Sequence, residues 1–341
     1  MSNKIISFKV KNIIFLHLIL LFFLIGCENE ETTNPLPPPI TIGVSMATMD
    51  VEIFEYMKDA MYDNKERDNV NLIWLDANEE FEQQKQDIQK LIQEEVDIII
   101  INPVESREVG ELVKIINDAK IPVIALNRFI EEADLTGYIN ADNIEVGILQ
   151  ARYLVDQIDK SGKVIILKGD KRNNVAYEIT QGNKAVLKNY INIRIVSEEW
   201  HEEWSDELAE ETVRKALERH PDIKGILANN SPMALAAVEV LKEKGLINDV
   251  ITVGGDATED AIIAIAKGEH NAEIDKMPYL QGLSAFKAAT IIARKDRWHH
   301  EMRIESGEYS IPVKITPVQL INEDNIILMK NRYPEIMEHL D

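Results

Sequence analysis

A pattern recurs along this chain: a short apolar run ends on a side chain that can hold or donate hydrogen bonds. Residues 122–126 run into Asn127 and Arg128, and the piece Tyr138-Ile139-Asn140-Ala141 runs into Asp142 and Asn143. Residues 163–167 lead to Lys168 and Asp170 and then to Asn173 and Asn174. Residues 193–196 lead to Trp200 and Trp204, and 225–228 to Asn229 and Asn230. Residues 251–255 deliver Asp256, and 272–275 deliver Lys276. A single Arg at a strand end is ordinarily a solvated loop residue. The repetition is what points to a site. Asp, Asn and Arg can each meet two neighbouring hydroxyls with a rigid fork of bonds. A pyranose also presents apolar C–H faces that stack on aromatic rings, and Trp offers the largest such area with one donor. The chemistry implied is recognition of a hydroxyl-rich ring.

Elements must bring these ends together. Short runs of Val, Ile and Leu fall at 40–46, 70–75, 97–102, 122–126, 163–167, 193–196, 225–228 and 251–253. Between them lie segments of helical period. Val109, Leu112, Val113 and Ile116 share one face, as do Ile144, Ile148, Ala151, Val155 and Ile158. Continuous apolar strands separated by helices predict parallel sheets covered on both faces. In such sheets ligands bind beyond the carboxyl ends of the strands, where the polar residues collect. The rhythm resets near 138–142, which predicts two doubly wound lobes of α/β class. An extended segment at 313–322, after a helix at 281–293, predicts that the chain crosses between lobes several times.

The chain has 341 residues, 45% of them hydrophobic, and a net charge of −22. That length suits two lobes. The acidic surface repels phosphate backbones and argues against a nucleic-acid partner. At the N-terminus, Lys4, Lys9 and Lys11 precede an apolar stretch at 13–25 broken only by His17. This is the layout of a secretory signal, too short for a comfortable membrane span. It ends in Leu24-Ile25-Gly26-Cys27, which resembles the bacterial lipobox, and Cys27 is the only cysteine. Residues 28–39 are polar and then Pro-rich, as in an extended tether. The division expected is a lipoprotein signal peptide at 1–26, a tether at 27–39, a first lobe at 40–141 plus 279–312, and a second lobe at 142–278 plus 313–341.

Other chemistries find little support. His299 and His300 are adjacent, yet helix neighbours point apart and no spaced ligand motif joins them, so no metal is expected. Asp159-Lys160-Ser161-Gly162-Lys163-Val164 lacks the first Gly of a phosphate loop and has Val164 where Ser or Thr must hold magnesium. No nucleophile elbow, zinc-protease motif or dinucleotide fingerprint occurs, and no cofactor is expected. An enzyme would need a reactive pair of shifted acidity, and none can be nominated. The acidic runs at 78–82 and 207–211 read as exposed helix faces.

From about residue 40 to 340 the chain resembles the periplasmic sugar-binding proteins of ABC importers, most closely their D-xylose-binding branch. The stretches that carry this are residues 138–147, Glu199-Trp200-His201-Glu202-Glu203-Trp204, Ala228-Asn229-Asn230, Gly254-Gly255-Asp256-Ala257 and Asp275-Lys276-Met277-Pro278. The resemblance implies the type I two-lobe fold and no enzymatic activity. It implies capture of a monosaccharide, D-xylose or a related aldopentose, by hinge closure. Arg128, Asn230 and Asp256 would grip ring hydroxyls, Lys276 would donate from the hinge side, Trp204 would stack on the sugar, and Phe54 would form the opposite wall. Asn127, Asp142, Asn173 and Asn174 complete the expected set. This chain departs from the family pattern at Asn127, where the family has Asp, at Ile53, where it often has a basic residue, and at Asn173, where it has a carboxylate. The implied partner is an ABC permease or, alternatively, a membrane sensor histidine kinase. The implied location is outside the cytoplasm, held to a membrane through a lipid on Cys27.

Overall fold

The computed structural model describes residues 37–340. The signal peptide, Cys27 and the tether up to residue 36 lie outside the described residues. Among those described, no helix is long and apolar enough to cross a membrane.

The first lobe begins as alternating strands and helices: β1 (Ile40–Met46), α1 (Glu52–Lys65), β2 (Val70–Asp76), α2 (Phe81–Gln93), β3 (Ile98–Ile101), α3 (Gly110–Asp118), β4 (Val123–Leu126) and β5 (Gly137–Ala141). The second continues the same way: α4 (Asn143–Gln157), β6 (Gly162–Lys168), α5 (Asn174–Leu187), β7 (Ile193–Trp200), α6 (Asp206–Arg219), β8 (Ile223–Ala228), α7 (Ser231–Lys244), β9 (Ile251–Gly255), α8 (Glu259–Ala266) and β10 (Ala272–Asp275). The chain then returns through α9 (Pro278–Ala293), β11 (Met302–Ser306) and β12 (Tyr309–Thr316) before ending with β13 (Gln319–Asn322) and two 3-10 turns.

Two sheets result, in the orders β11-β12-β5-β4-β3-β1-β2 and β13-β10-β9-β8-β6-β7. All pairings are parallel except the edge pairs β11–β12 and β10–β13. The period-2 alternation explains why the strands are apolar throughout. Ile98, Ile100, Ile124 and Leu126 pack with α1 and α9, while Ile99, Ile101, Val123 and Ala125 pack with α2 and α3. The second sheet is sandwiched likewise between α4 and α5 on one side and α6 and α7 on the other. Helices α4 and α5 touch at backbone distance: a Cβ on Gly147 would lie 1.9 Å from the Ile179 carbonyl oxygen.

Among the described residues the chain crosses between lobes three times: from β5 to α4, from β10 to α9, and from β12 to β13. The segment expected as one extended crossing at 313–322 is two strands, one in each sheet. Val313–Thr316 pairs in parallel with Tyr138–Ala141, so the first lobe extends through Thr316 and not to residue 312. The crossing itself is Pro317-Val318. Its register with β5 was not legible in local sequence, because strand character says nothing about which sheet a strand joins.

Candidate ligand-binding site

The strand ends of the two lobes face each other across a cavity of about 610 Å³. The first lobe contributes Phe54, Asn127 and Arg128 to its wall, and the second contributes Trp204, Asn230, Asp256 and Lys276. The volume lies within the ordinary range for small-molecule sites, roughly 300–1,000 Å³.

Arg128 follows β4 and is only 4% exposed. Its Nη1 and Nη2 donate to the two carboxylate oxygens of Glu79 at 3.2 and 3.0 Å, and Nη1 also reaches the carbonyl oxygens of Pro103 and Val104 at 3.2 and 3.4 Å. The Phe54 ring lies 5.9 Å from the guanidinium carbon. Asn127 occupies the left-handed region at φ 66°, which Asn tolerates, and donates from Nδ2 to Gln281 at 3.3 Å.

On the facing wall, Asn230 caps α7: its Oδ1 accepts from the Met233 amide at 3.1 Å. That uses the amide's acceptor and leaves Nδ2 without a protein partner among the described residues, so Asn230 can offer a ligand a donor. Asp256 stands after β9, with Oδ1 2.8 Å from the Lys276 ammonium. Both are almost completely buried. Burial pushes the Asp256 carboxyl up to about 6, against the opposing pull of Lys276. Behind it, Glu273 accepts from the Ala257 amide at 3.1 Å and from the Ser231 hydroxyl at 2.9 Å, fixing the turn that carries Asp256.

Trp204 ends a 3-10 turn, Glu202–Trp204, in which Glu203 and Trp204 have φ of 54° and 58°. Its ring lies against Gly169, where a Cβ would come within 2.1 Å of Cζ3. Any larger residue would displace the ring. The indole Nε1 is buried and has no partner among the described residues. Trp200 has a different fate. It packs 4.5 Å from Tyr177, with the Lys168 ammonium 4.0 Å from its ring centroid, away from the cavity wall.

Three expected residues do not line the cavity. Asp142 is exposed and caps α4 through a bond from the Glu145 amide at 3.0 Å. Asn174 has both ends of its amide engaged. Oδ1 accepts from the Phe129 amide at 2.8 Å, while Nδ2 donates to Tyr138 and Glu178 at 3.3 and 3.0 Å. It ties the lobes together beside the cavity. Asn173 is buried at the start of α5, its main chain turned back by a bond to the Asp170 carbonyl at 3.1 Å.

Among the wall residues missed by sequence reasoning are Glu79 and Glu52. By sequence alone Glu79 belongs to an exposed acidic face. The strand-end rule, applied to β2, would have nominated it, since it follows Asp76 by three positions. Glu52 follows β1. Its carboxylate accepts from Tyr333 at 2.6 Å and from the Glu259 amide, at the start of α8, at 3.2 Å. That pins the first lobe to the second. Glu207 and Glu210, likewise read as an exposed face, also line the cavity. Among the described residues no group of three or more His, Cys, Asp or Glu side chains is arranged to hold a metal ion.

Residues 42–296 match the periplasmic binding protein domain family, and the chain belongs to that family. It is similar to the ribose import binding protein of Bacillus subtilis, 26% identical over 275 residues that cover 79% of this chain and 88% of that protein. It is similar to the D-xylose-binding periplasmic protein of Escherichia coli, 27% identical over 325 residues that cover 93% and 95%. Among solved structures, an ABC transporter solute binding protein from Bacillus halodurans with bound myo-inositol superimposes with a TM-score of 0.76 at 26% identity, covering 86% of this chain and 98% of that one. Each is a binding protein, and none is an enzyme. The ribose and xylose relatives match at nearly equal identity, so identity favours neither branch.

Proposed function

We propose that this chain is the extracytoplasmic solute-binding component of an ABC importer, and that its lobes close on a neutral monosaccharide, D-xylose or a related aldopentose. One observation carries the reading: hydroxyl-binding side chains from strand ends of both lobes converge on one cavity, flanked by Phe54 and Trp204. Arg128 and Lys276 would donate to ring hydroxyls, Asp256 would accept, and Asn230 would donate through Nδ2. The lobes touch through Asn174 and through Glu52, as a closed state requires. Closing excludes water, which strengthens each polar contact. The D-xylose assignment leans on the E. coli relative that spans 93% of the chain, and transport is favoured by the import role of the ribose relatives. Cys27 would carry the lipid that keeps the body at a membrane.

A thermal-shift screen tests the binding reading, because a ligand that binds only the folded state raises the melting temperature. One of D-xylose, D-ribose and L-arabinose is expected to raise it saturably. No shift with any pentose, hexose or polyol sinks the reading. Labelling cells with an alkyne fatty acid tests the anchor: label on the parent and none on Cys27→Ser is expected, and equal label on both refutes it.

A further inference from the structure

We propose that Asp170, a buried carboxylate outside the cavity wall, is the residue that holds the Trp204 ring in its stacking pose. The inference rests on the sugar-binding reading and deepens it with a positioning residue that touches no ligand. The pose is not one the chain adopts freely. Glu203 and Trp204 both have positive φ, 54° and 58°, in a region sparsely populated by non-glycine residues and least of all by bulky ones. Such conformations persist only where the surroundings impose them.

Asp170 supplies the imposing contact. It is 1% exposed, and its Oδ2 accepts from the Glu203 amide at 2.7 Å. The hold is firm because Arg172 fixes the carboxylate. The Arg172 amide donates to Oδ1 at 2.7 Å, Nε lies 3.1 Å from both oxygens, and Nη2 donates to Oδ2 at 2.6 Å. Burial alone would raise this carboxyl, but the bonds from Arg172 and from the Arg172 and Glu203 amides outweigh it and keep the group below the usual range. An ionised acceptor makes the stronger bond to an amide. His201 anchors the start of the same turn, its Nδ1 donating to the Lys168 carbonyl at 2.7 Å. Gly169 makes room for the ring, and Asp170 draws in the main chain beside it. The loop also meets the first lobe, where the Ser106 amide donates to the Arg172 carbonyl at 3.0 Å. One loop therefore bears both a contact between lobes and the grip on the ring.

The test is calorimetric and fluorescence titration of the parent, W204F, D170N and the double variant D170N/E203G with D-xylose, D-ribose and L-arabinose, alongside melting of each protein without sugar. The parent is expected to bind one of the three with a change in indole emission that W204F lacks. D170N sets an NH2 group against either Arg172 or the Glu203 amide. Affinity is then expected to fall by about tenfold, as for losing one stacking face, and the emission change to shrink. Glycine takes positive φ freely, so adding E203G is expected to recover about threefold or more of that loss. A role in folding alone would not be rescued in this way. Parental affinity and emission in D170N, an emission change that W204F keeps, or a loss that E203G does not recover each overturns the assignment while leaving the sugar-binding reading intact. If D170N does not melt cooperatively, the double variant decides. Folding with binding supports the assignment, and no cooperative melt means that Asp170 holds the fold and not the ring. Failure of the parent to bind any of the three sugars overturns the sugar-binding reading, and this assignment with it.

Discussion

The two walls of the cleft are built on opposite principles. On the first lobe, Arg128 spends most of its donors on Glu79 and two main-chain carbonyls, and Asn127 donates to Gln281. On the second, Asn230 keeps Nδ2 open, Trp204 buries an indole N–H without a partner, and Asp256 is bonded only by Lys276. One wall is braced before a ligand arrives; the other carries polar groups with capacity to spare. Bracing lowers the ordering cost of binding. Open capacity leaves a penalty that a ligand relieves, since buried polar groups without partners are costly. The lesson is that the first lobe supplies a rigid platform and the second supplies the groups whose state depends on occupancy.

That contrast makes graded expectations. The largest effect is expected from Arg128→Ala, which removes the platform. Ligand affinity should fall by about 100-fold, the worth of a charge-assisted hydrogen bond left unmade, measured by calorimetry. Because Glu79 and the 103–104 carbonyls lose their donor, the apo protein should also melt lower. Asn230→Ala on the open wall should weaken binding less, and a drop as large as that of Arg128→Ala would erase the distinction.

Next comes Gly169→Ala. A methyl group placed 2.1 Å from the Trp204 ring must push the ring out of its seat. Affinity should drop by about tenfold, as expected for losing one aromatic stacking face, with a shifted indole fluorescence. Unchanged fluorescence and affinity would show that Trp204 is not held by that glycine.

The third expectation concerns pH. Asp256 in the folded protein is raised to about 6 from an ordinary value of 3.8. The folded state therefore holds this proton more tightly than the unfolded chain. Its contribution to stability is present below about pH 4 and is lost as pH rises through about 6. Binding runs the other way, because the ionised carboxylate is the stronger acceptor. Affinity should fall as pH drops below about 6, and Asp256→Asn should flatten that profile. A parental profile in Asp256→Asn would place the titrating group elsewhere.

The smallest effect belongs to Glu52→Gln, whose carboxylate is engaged by Tyr333 and the Glu259 amide. The weaker acceptor loosens the tie to Tyr333 and α8, so ligand release in stopped-flow should quicken by about two- to fivefold, with the association rate unchanged. Faster association instead would mean that Glu52 hinders entry.

Much of this was legible in the sequence. Continuous Ile and Val runs between helical periods pointed to the α/β class and two lobes; the strand-end rule found six residues that share the cavity wall, and the family resemblance added Phe54. Three others failed for local reasons. Asp142 and Asn174 stand at helix starts, where side-chain oxygens and amides find main-chain or interlobe partners. Asn173 lies beside Asn174 and follows its turn. Glu79 and Glu52 were passed over because an acidic residue at a helix entrance usually faces solvent. The strand-end rule applied to β2 does nominate Glu79, whereas only tertiary contact with Tyr333 across the cleft distinguishes Glu52. The sheet that β12 joins was invisible for a similar reason, since pairing with β5 is a long-range fact.

The central claim is that a neutral sugar lies between the braced wall and the open one. A crystal structure of the protein grown with D-xylose tests it most directly. The account predicts one sugar ring between Phe54 and Trp204, with hydroxyls bonded to Arg128, Asn230, Asp256 and Lys276. A sugar bound outside this cavity, or inside it with Arg128 and Asp256 untouched, would contradict the account.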